Sequence, residues 1–222
     1  MNYIFILDDF CLSHVYKYLD QKSQIKMTET CHKFLKLRDC VDIIHASTTM
    51  TDKQLRLYKN LSVLALFSNN EITNEGIKNS RLNWLSCDYN QNFTNEGIKT
   101  LQLKRLDCCH NENFTDEGIK NSSITCLNCG WNRNFTNEGI KNLQLNQLDC
   151  GYNQNFTDEG IMNLPLIYLD CGYNKKFTIN GFKHLPCIEI LCRYNRNFRD
   201  KSDVLGWSFK VYIYKFGVAQ NM

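Results

Sequence analysis

Proline is almost missing from this chain, with two in 222 residues. With 43% apolar residues as well, the composition excludes a proline-rich linker or a disordered tract and calls for a folded core. No apolar run approaches the roughly 20 residues that cross a bilayer. The opening Met1–Asp9 lacks a basic stretch, and its apolar run is too short for a secretion signal. Charge of one sign is also scarce: the net value of +3 does not by itself point to nucleic acid. There is no glycine-rich phosphate loop and no paired-carboxylate site standing apart. The five histidines (14, 32, 45, 110 and 184) have no metal-ligand spacing. The expectation is therefore a non-enzyme, with no catalytic residue, cofactor or metal.

What the chain does contain is a word that returns every 21 residues. Asn92-Phe93-Thr94-Asn95-Glu96-Gly97-Ile98 recurs from Asn113, Asn134 and Asn155, with weaker copies from Glu71 and Lys176. A fixed period of this size implies stacked supersecondary units, a solenoid over most of the length. Aligned units start at Leu61, Leu82, Leu103, Ile124, Leu145, Leu166 and Cys187. Apolar residues at unit positions 4 and 6 alternate with variable ones, as in a short strand, so successive units should stack parallel strands about 4.8 Å apart.

The period also accounts for half of the 12 cysteines. Cys87, Cys108, Cys129, Cys150, Cys171 and Cys192 occupy position 6, where a free thiol serves as a small core hydrophobe. The four Asn-Phe-Thr sequons read as repeat letters, and a reducing cytoplasm or nucleus fits both features. Position 9 is asparagine in all seven units, Asn69 through Asn195, suited to satisfying backbone groups where the strand ends. Position 12, Ile72 and then Phe93 through Phe198, reads as a second core layer. The threonine of Thr-x-Glu-Gly-Ile is an N-cap candidate for the return limb. The following glycine serves either close packing or a positive φ. Thr51–Asn60 reads as a helix capped by Thr51, and Val211–Tyr214 as an edge strand closing the stack.

The first half of the unit, Leu145-Asn-Gln-Leu148-Asp-Cys150-Gly-Tyr-Asn153, resembles the leucine-rich repeat pattern with cysteine in the third apolar slot. The resemblance covers residues 61–207. It implies an α/β solenoid, a leucine-rich-repeat horseshoe with parallel strands on the concave face.

Residues 1–40 do not repeat. Leu7-Asp8-Asp9-Phe10-Cys11-Leu12-Ser13-His14-Val15-Tyr16-Lys17-Tyr18-Leu19-Asp20 leads into Ser23–Phe34, which contains Cys31-His32-Lys33-Phe34. This resembles an F-box: an apolar helix ending in Tyr-Leu-Asp, then one ending in Cys-x-x-Phe. Asp8 stands where the family has proline, and Phe10 where it has an acid. An F-box followed by leucine-rich repeats is itself a family layout. The near-identical Asn/Lys-rich units resemble such proteins of giant DNA viruses and their amoebal hosts.

The resemblance implies a small helical module (1–40), a connector and N-terminal cap (41–60), seven repeats (61–207) and a C-terminal cap (208–222). It further implies a substrate-recognition adapter of a Skp1–cullin–F-box ubiquitin ligase. Leu7, Leu12, Val15, Tyr16, Leu19, Ile25 and Phe34 would face a Skp1-like subunit, and the repeats would bind an unknown target protein. Such a chain would be a monomer within a larger complex, in the cytoplasm (the host's, if viral) or nucleus, with no nucleic-acid or membrane partner. The alternative is a protein-binding scaffold without a ubiquitin link, in which residues 1–40 are only a cap.

The surface expected to meet the target is the set of strand residues between core positions. Trp84, Arg105 and Tyr168 stand at position 3, and Asp107, Asp149 and Asp170 at position 5. Tyr89, His110, Trp131, Tyr152, Tyr173 and Tyr194 stand at position 8. The ring column reads either as a binding hot spot or as a stacking ladder that stiffens the sheet edge. Asp149 beside Asp170 suggests a basic patch on the partner, or else solvation with help from Arg105 and Arg193. The lysines at 78, 99, 120 and 141, each three residues after a glutamate, read as a solvated face. Cys108, Cys109, Cys126 and Cys129 imitate a zinc arrangement, but alternation puts Cys108 and Cys129 inside and the other two outside.

Overall fold

A computed structural model describes residues 19, 20, 23, 42–46, 48–66, 69–187, 189–195, 197 and 210–212. Strands β1 (Ile43–Ala46), β2 (Val63–Leu66), β3 (Trp84–Ser86), β4 (Arg105–Asp107) and β5 (Cys126–Asn128) lead into β6 (Gln147–Asp149), β7 (Tyr168–Asp170), β8 (Glu189–Leu191) and β9 (Lys210–Tyr212). They form one sheet in sequence order, every neighbouring pair parallel. Between them lie single helical turns: α1 (Asp52–Leu55), α2 (Asn74–Ile77), α3 (Asn95–Ile98), α4 (Asp116–Ile119), α5 (Asn137–Ile140), α6 (Asp158–Ile161) and α7 (Ile179–Phe182). This is a leucine-rich-repeat-like solenoid. Its sheet begins one strand upstream of the first periodic unit. The Thr51 helix is shorter than its sequence suggested, four residues long.

Register repeats the period. Leu64 pairs with Leu85, Leu85 with Leu106, and so on to Ile190 with Val211. Every position-4 side chain is buried, and so is every position-6 cysteine from Cys87 to Cys192. The Cys108, Cys129, Cys150 and Cys171 thiols each approach the position-5 carbonyl of the next unit at 3.4–3.6 Å. The thiol thus fills a narrow place while weakly donating. Phe93, Phe114, Phe135, Phe156 and Phe177 are fully buried behind the strand layer, and Ile77 through Phe182 at position 17 close the core from the helical side. Phe198 lies outside the described residues.

Three polar ladders hold unit to unit. Buried Asn132 donates to the carbonyls of Asn111 and Phe114 in the preceding unit and accepts from the Asn134 amide. Asn90, Asn111, Asn153 and Asn174 repeat the scheme, while Asn69 donates to the Met50 carbonyl and Asn195 to that of Phe177. Buried carbonyls that no strand could reach are satisfied this way. The sequon asparagines are also engaged: Asn92 and Asn113 donate to the carbonyls of Asn70 and Gln91. The third ladder joins each N-cap threonine to the first helical residue of the unit before it, as in Thr136 to Asp116.

The helical glycines serve close packing. A Cβ on Gly97 would lie 2.1 Å from Asn74 Oδ1, so adjacent helical turns approach too closely for a larger residue. Outside these turns, Lys78, Lys99, Lys120 and Lys141 pair with the glutamates three residues earlier. All four pairs are solvent-exposed and contribute little to stability.

Candidate functional site

The outer face of the sheet carries columns of side chains that run along the solenoid axis. Parallel in-register pairing sets Asp107 opposite Asn128, Asn128 opposite Asp149, and Asp149 opposite Asp170. Each strand then ends in a tight turn. In the third unit, Asn111 N–H returns to the Cys108 carbonyl, and His110 N–H crosses to the Gly130 carbonyl of the next unit.

That turn puts the ring-bearing residue at positive φ. Tyr89, His110, Trp131, Tyr152, Tyr173 and Tyr194 have φ between 57° and 62°. The left-handed region costs a residue with a Cβ about 1–2 kcal/mol. What offsets it is the stack. Ring centroids stand 4.4 Å apart for Tyr89–His110, 5.0 Å for His110–Trp131, 3.8 Å for Trp131–Tyr152, 4.0 Å for Tyr152–Tyr173 and 4.5 Å for Tyr173–Tyr194. Aromatic pairs of this kind contribute about 0.5–1.5 kcal/mol each beyond their burial. Stacking uses the ring faces, so the column meets a partner with edges and hydroxyls.

The three position-5 acids differ in their company. Asp107 was expected to face a partner. It is only 6% exposed, and its Oδ2 accepts from Trp84 Nε1 at 2.8 Å and Arg105 Nε at 2.9 Å. The Arg105 guanidinium also covers the Trp84 ring at 4.7 Å. These three candidate residues therefore form a closed cluster among themselves. Asp170 accepts from Arg193 at 3.1 Å and from the Gly172 amide at 2.9 Å. Asp149 accepts the Gly151 amide at 3.1 Å.

Burial pushes the Asp149 carboxyl up to about 6; the negative charge of Asp170 adds to this, while the Gly151 amide and Arg193 oppose it. The neighbouring Tyr168 phenol is pushed up to about 12 by burial and by Asp170 and Asp149. Burial likewise raises Asp88, against the pull of a hydrogen bond from the Cys109 amide.

Between the acid column and the ring column runs a groove of about 610 Å³, bordered by Asn128, Asp149, Asp170, Trp131, Tyr152 and Tyr173. Its floor is Gly130, Gly151 and Gly172 at position 7, with Cys109 at one end and Arg193 at the other. A second hollow of about 290 Å³ between Arg105, Gln147 and Tyr168 shares Asn128 and Asp149 with the first. The position-7 floor was missed in the sequence, although Cys-Gly-Trp and Cys-Gly-Tyr at the 21-residue step were its signal. The zinc-like cysteines are divided by the strand layer: Cys108 and Cys129 are buried, and Cys109 and Cys126 are half-buried. Among the described residues no group of three or more histidine, cysteine or acidic side chains could hold a metal ion.

In comparisons with known proteins, no family model and no curated protein matches this chain. Among solved structures, it is similar to a chain of the Rad7 and Elc1 complex of yeast, with a TM-score of 0.44 and 16% identity. The match covers 73% of this chain and 44% of the solved one, so less than half of that protein is represented here.

Of the residues that the F-box resemblance assigns to a Skp1-like subunit, Leu7, Leu12, Val15, Tyr16, Ile25 and Phe34 lie outside the described residues. Leu19 is described: it is partly buried and packs against the solenoid core. Among the described residues, no helix is long and apolar enough to cross a membrane.

Proposed function

We propose that this protein recognises another protein on the outer face of its sheet and presents it, through residues 1–40, to a Skp1-like subunit of a ubiquitin ligase. The observation that carries the recognition half is the groove between the acid and ring columns. A rigid, repeating frame displays side chains that change from unit to unit in the adjoining hollow, with Arg105, Cys126, Gln147 and Tyr168 at position 3, which suits one partner rather than many. The adapter half rests on the F-box resemblance of Leu7–Phe34. An adapter makes and breaks no bond; it raises the effective concentration of a target near the ligase.

The test is retrieval of purified Skp1 by the full-length protein. Leu12→Arg and Phe34→Arg should each abolish it while leaving the thermal unfolding of the repeats unchanged. Failure of the wild-type chain to retrieve Skp1 removes the adapter half and leaves a protein-binding scaffold. One observation favours that second reading: Leu19 packs on the core, as a residue of an N-terminal cap does.

A further inference from the structure

Of the aspartates in the position-5 column, Asp149 is the one that forms no ion pair with a described residue. Asp107 has Arg105 at 2.9 Å and Asp170 has Arg193 at 3.1 Å. Among the described residues no lysine, arginine or histidine forms an ion pair with Asp149, whose recorded bond is the Gly151 amide to one carboxylate oxygen. Asp149 also borders both hollows, where the two meet. Gly130 and Gly151 on either side add no side chain, so the carboxylate is reachable from the groove.

We propose that the groove receives an extended, basic segment of the protein partner, with a lysine or arginine side chain in ionic contact with Asp149. This deepens the recognition reading above and rests on it. Three facts argue for a basic occupant. The free carboxylate is held in a partly desolvated place, where an incoming cation is worth more than on an open surface. The neighbouring Asp170 adds negative potential at Asp149, which its own cation, Arg193, offsets only in part. The opposite wall offers tyrosine hydroxyls, which can accept from a main chain or a guanidinium. The groove spans three glycine-floored units, about 14 Å at the usual strand spacing, which matches about four residues of extended peptide.

The experiment is selection of random nine-residue peptides, displayed on phage, against immobilised full-length protein. Affinities of the synthetic winners are then measured by fluorescence anisotropy. Enriched peptides should share a lysine or arginine. Their affinity should fall at least tenfold for Asp149→Asn and weaken with added salt, and Glu138→Gln on the helical side should leave it unchanged. The asparagine keeps an acceptor for the Gly151 amide, and an unchanged circular dichroism spectrum verifies the fold. Winners without a basic residue, or basic winners that bind Asp149→Asn equally well, overturn this proposal and leave protein recognition standing. No enrichment over bare support overturns both.

Discussion

Asp116, the first residue of one helical turn, holds both polar groups of Thr136, the N-cap of the next: one carboxylate oxygen accepts the Thr136 amide at 2.8 Å, the other its hydroxyl at 2.6 Å. Because the hydroxyl proton points at the acid, Thr136 Oγ1 is left to accept the Glu138 amide at 3.2 Å. Thr73 after Asp52 and Thr178 after Asp158 behave alike. Where the preceding residue is asparagine, at 74, 95 and 137, its Nδ2 instead donates to the threonine oxygen, and the cap bond to the helix is absent. Acid or amide one unit back therefore decides whether a helix is capped.

That switch is testable. Asp116→Asn should convert the fifth helical turn to the uncapped form and cost about 0.5–1 kcal/mol. Asp116→Ala, which leaves the Thr136 amide unpaired, should cost about 1–3 kcal/mol. Urea unfolding of the three proteins ranks them, and equal midpoints would refute the cap assignment.

Gly139 packs its helical turn on the same acid. A Cβ there would lie 2.3 Å from Asp116 Oδ1 and 3.1 Å from Asp116 Cα, so the backbone as well as a side chain must move. Gly139→Ala should destabilise by about 1–3 kcal/mol, despite the better helix propensity of alanine, and the thermal midpoint measures it.

Asn132→Ala strips a buried site of three hydrogen bonds. Two carbonyls and one amide lose their partner where water does not reach, and a loss on the order of 3–4 kcal/mol is expected from denaturant titration. A loss under about 1 kcal/mol would mean that water replaces the asparagine.

At Tyr152 the usual ranking of alanine above glycine should reverse. Tyr152→Ala keeps the positive φ and loses the contacts to Trp131 and Tyr173; Tyr152→Gly loses the contacts but relieves the backbone. The glycine variant should be the more stable of the two by about 1 kcal/mol, and both should lie below wild type. Urea midpoints decide the order.

Asp149 makes stability depend on pH in an uncommon direction. Its folded-state value of about 6 lies above the ~3.9 of an unfolded chain. The folded protein thus keeps a proton that the unfolded chain has lost. This contribution is complete below about pH 4 and disappears as pH rises through about 6. Burial is the main cause; Asp170 and Asp107 add to it, and Arg193 and the Gly151 amide counter it. Asp149→Asn should therefore raise unfolding free energy at pH 7 by on the order of 1–3 kcal/mol and leave it unchanged at pH 4. A gain that is the same at both pH values would contradict the assignment.

The 21-residue step was enough to place Leu85 beneath Leu106, Cys108 beneath Cys129 and Phe114 beneath Phe135, because identical spacing along a chain forces identical translation in space. It also gave the threonine caps and the ring column. Partner choice within that lattice was not readable. Asp107 reaches 23 residues back to Trp84 and Arg193 reaches 23 residues back to Asp170, while Asp149 is passed over. Several side chains lie about one strand spacing apart, and only their rotamers decide which of them meet. The left-handed turn at Tyr152 was equally hidden, because a strained dihedral on an aromatic residue runs against local propensity and persists only when the stack above and below holds it.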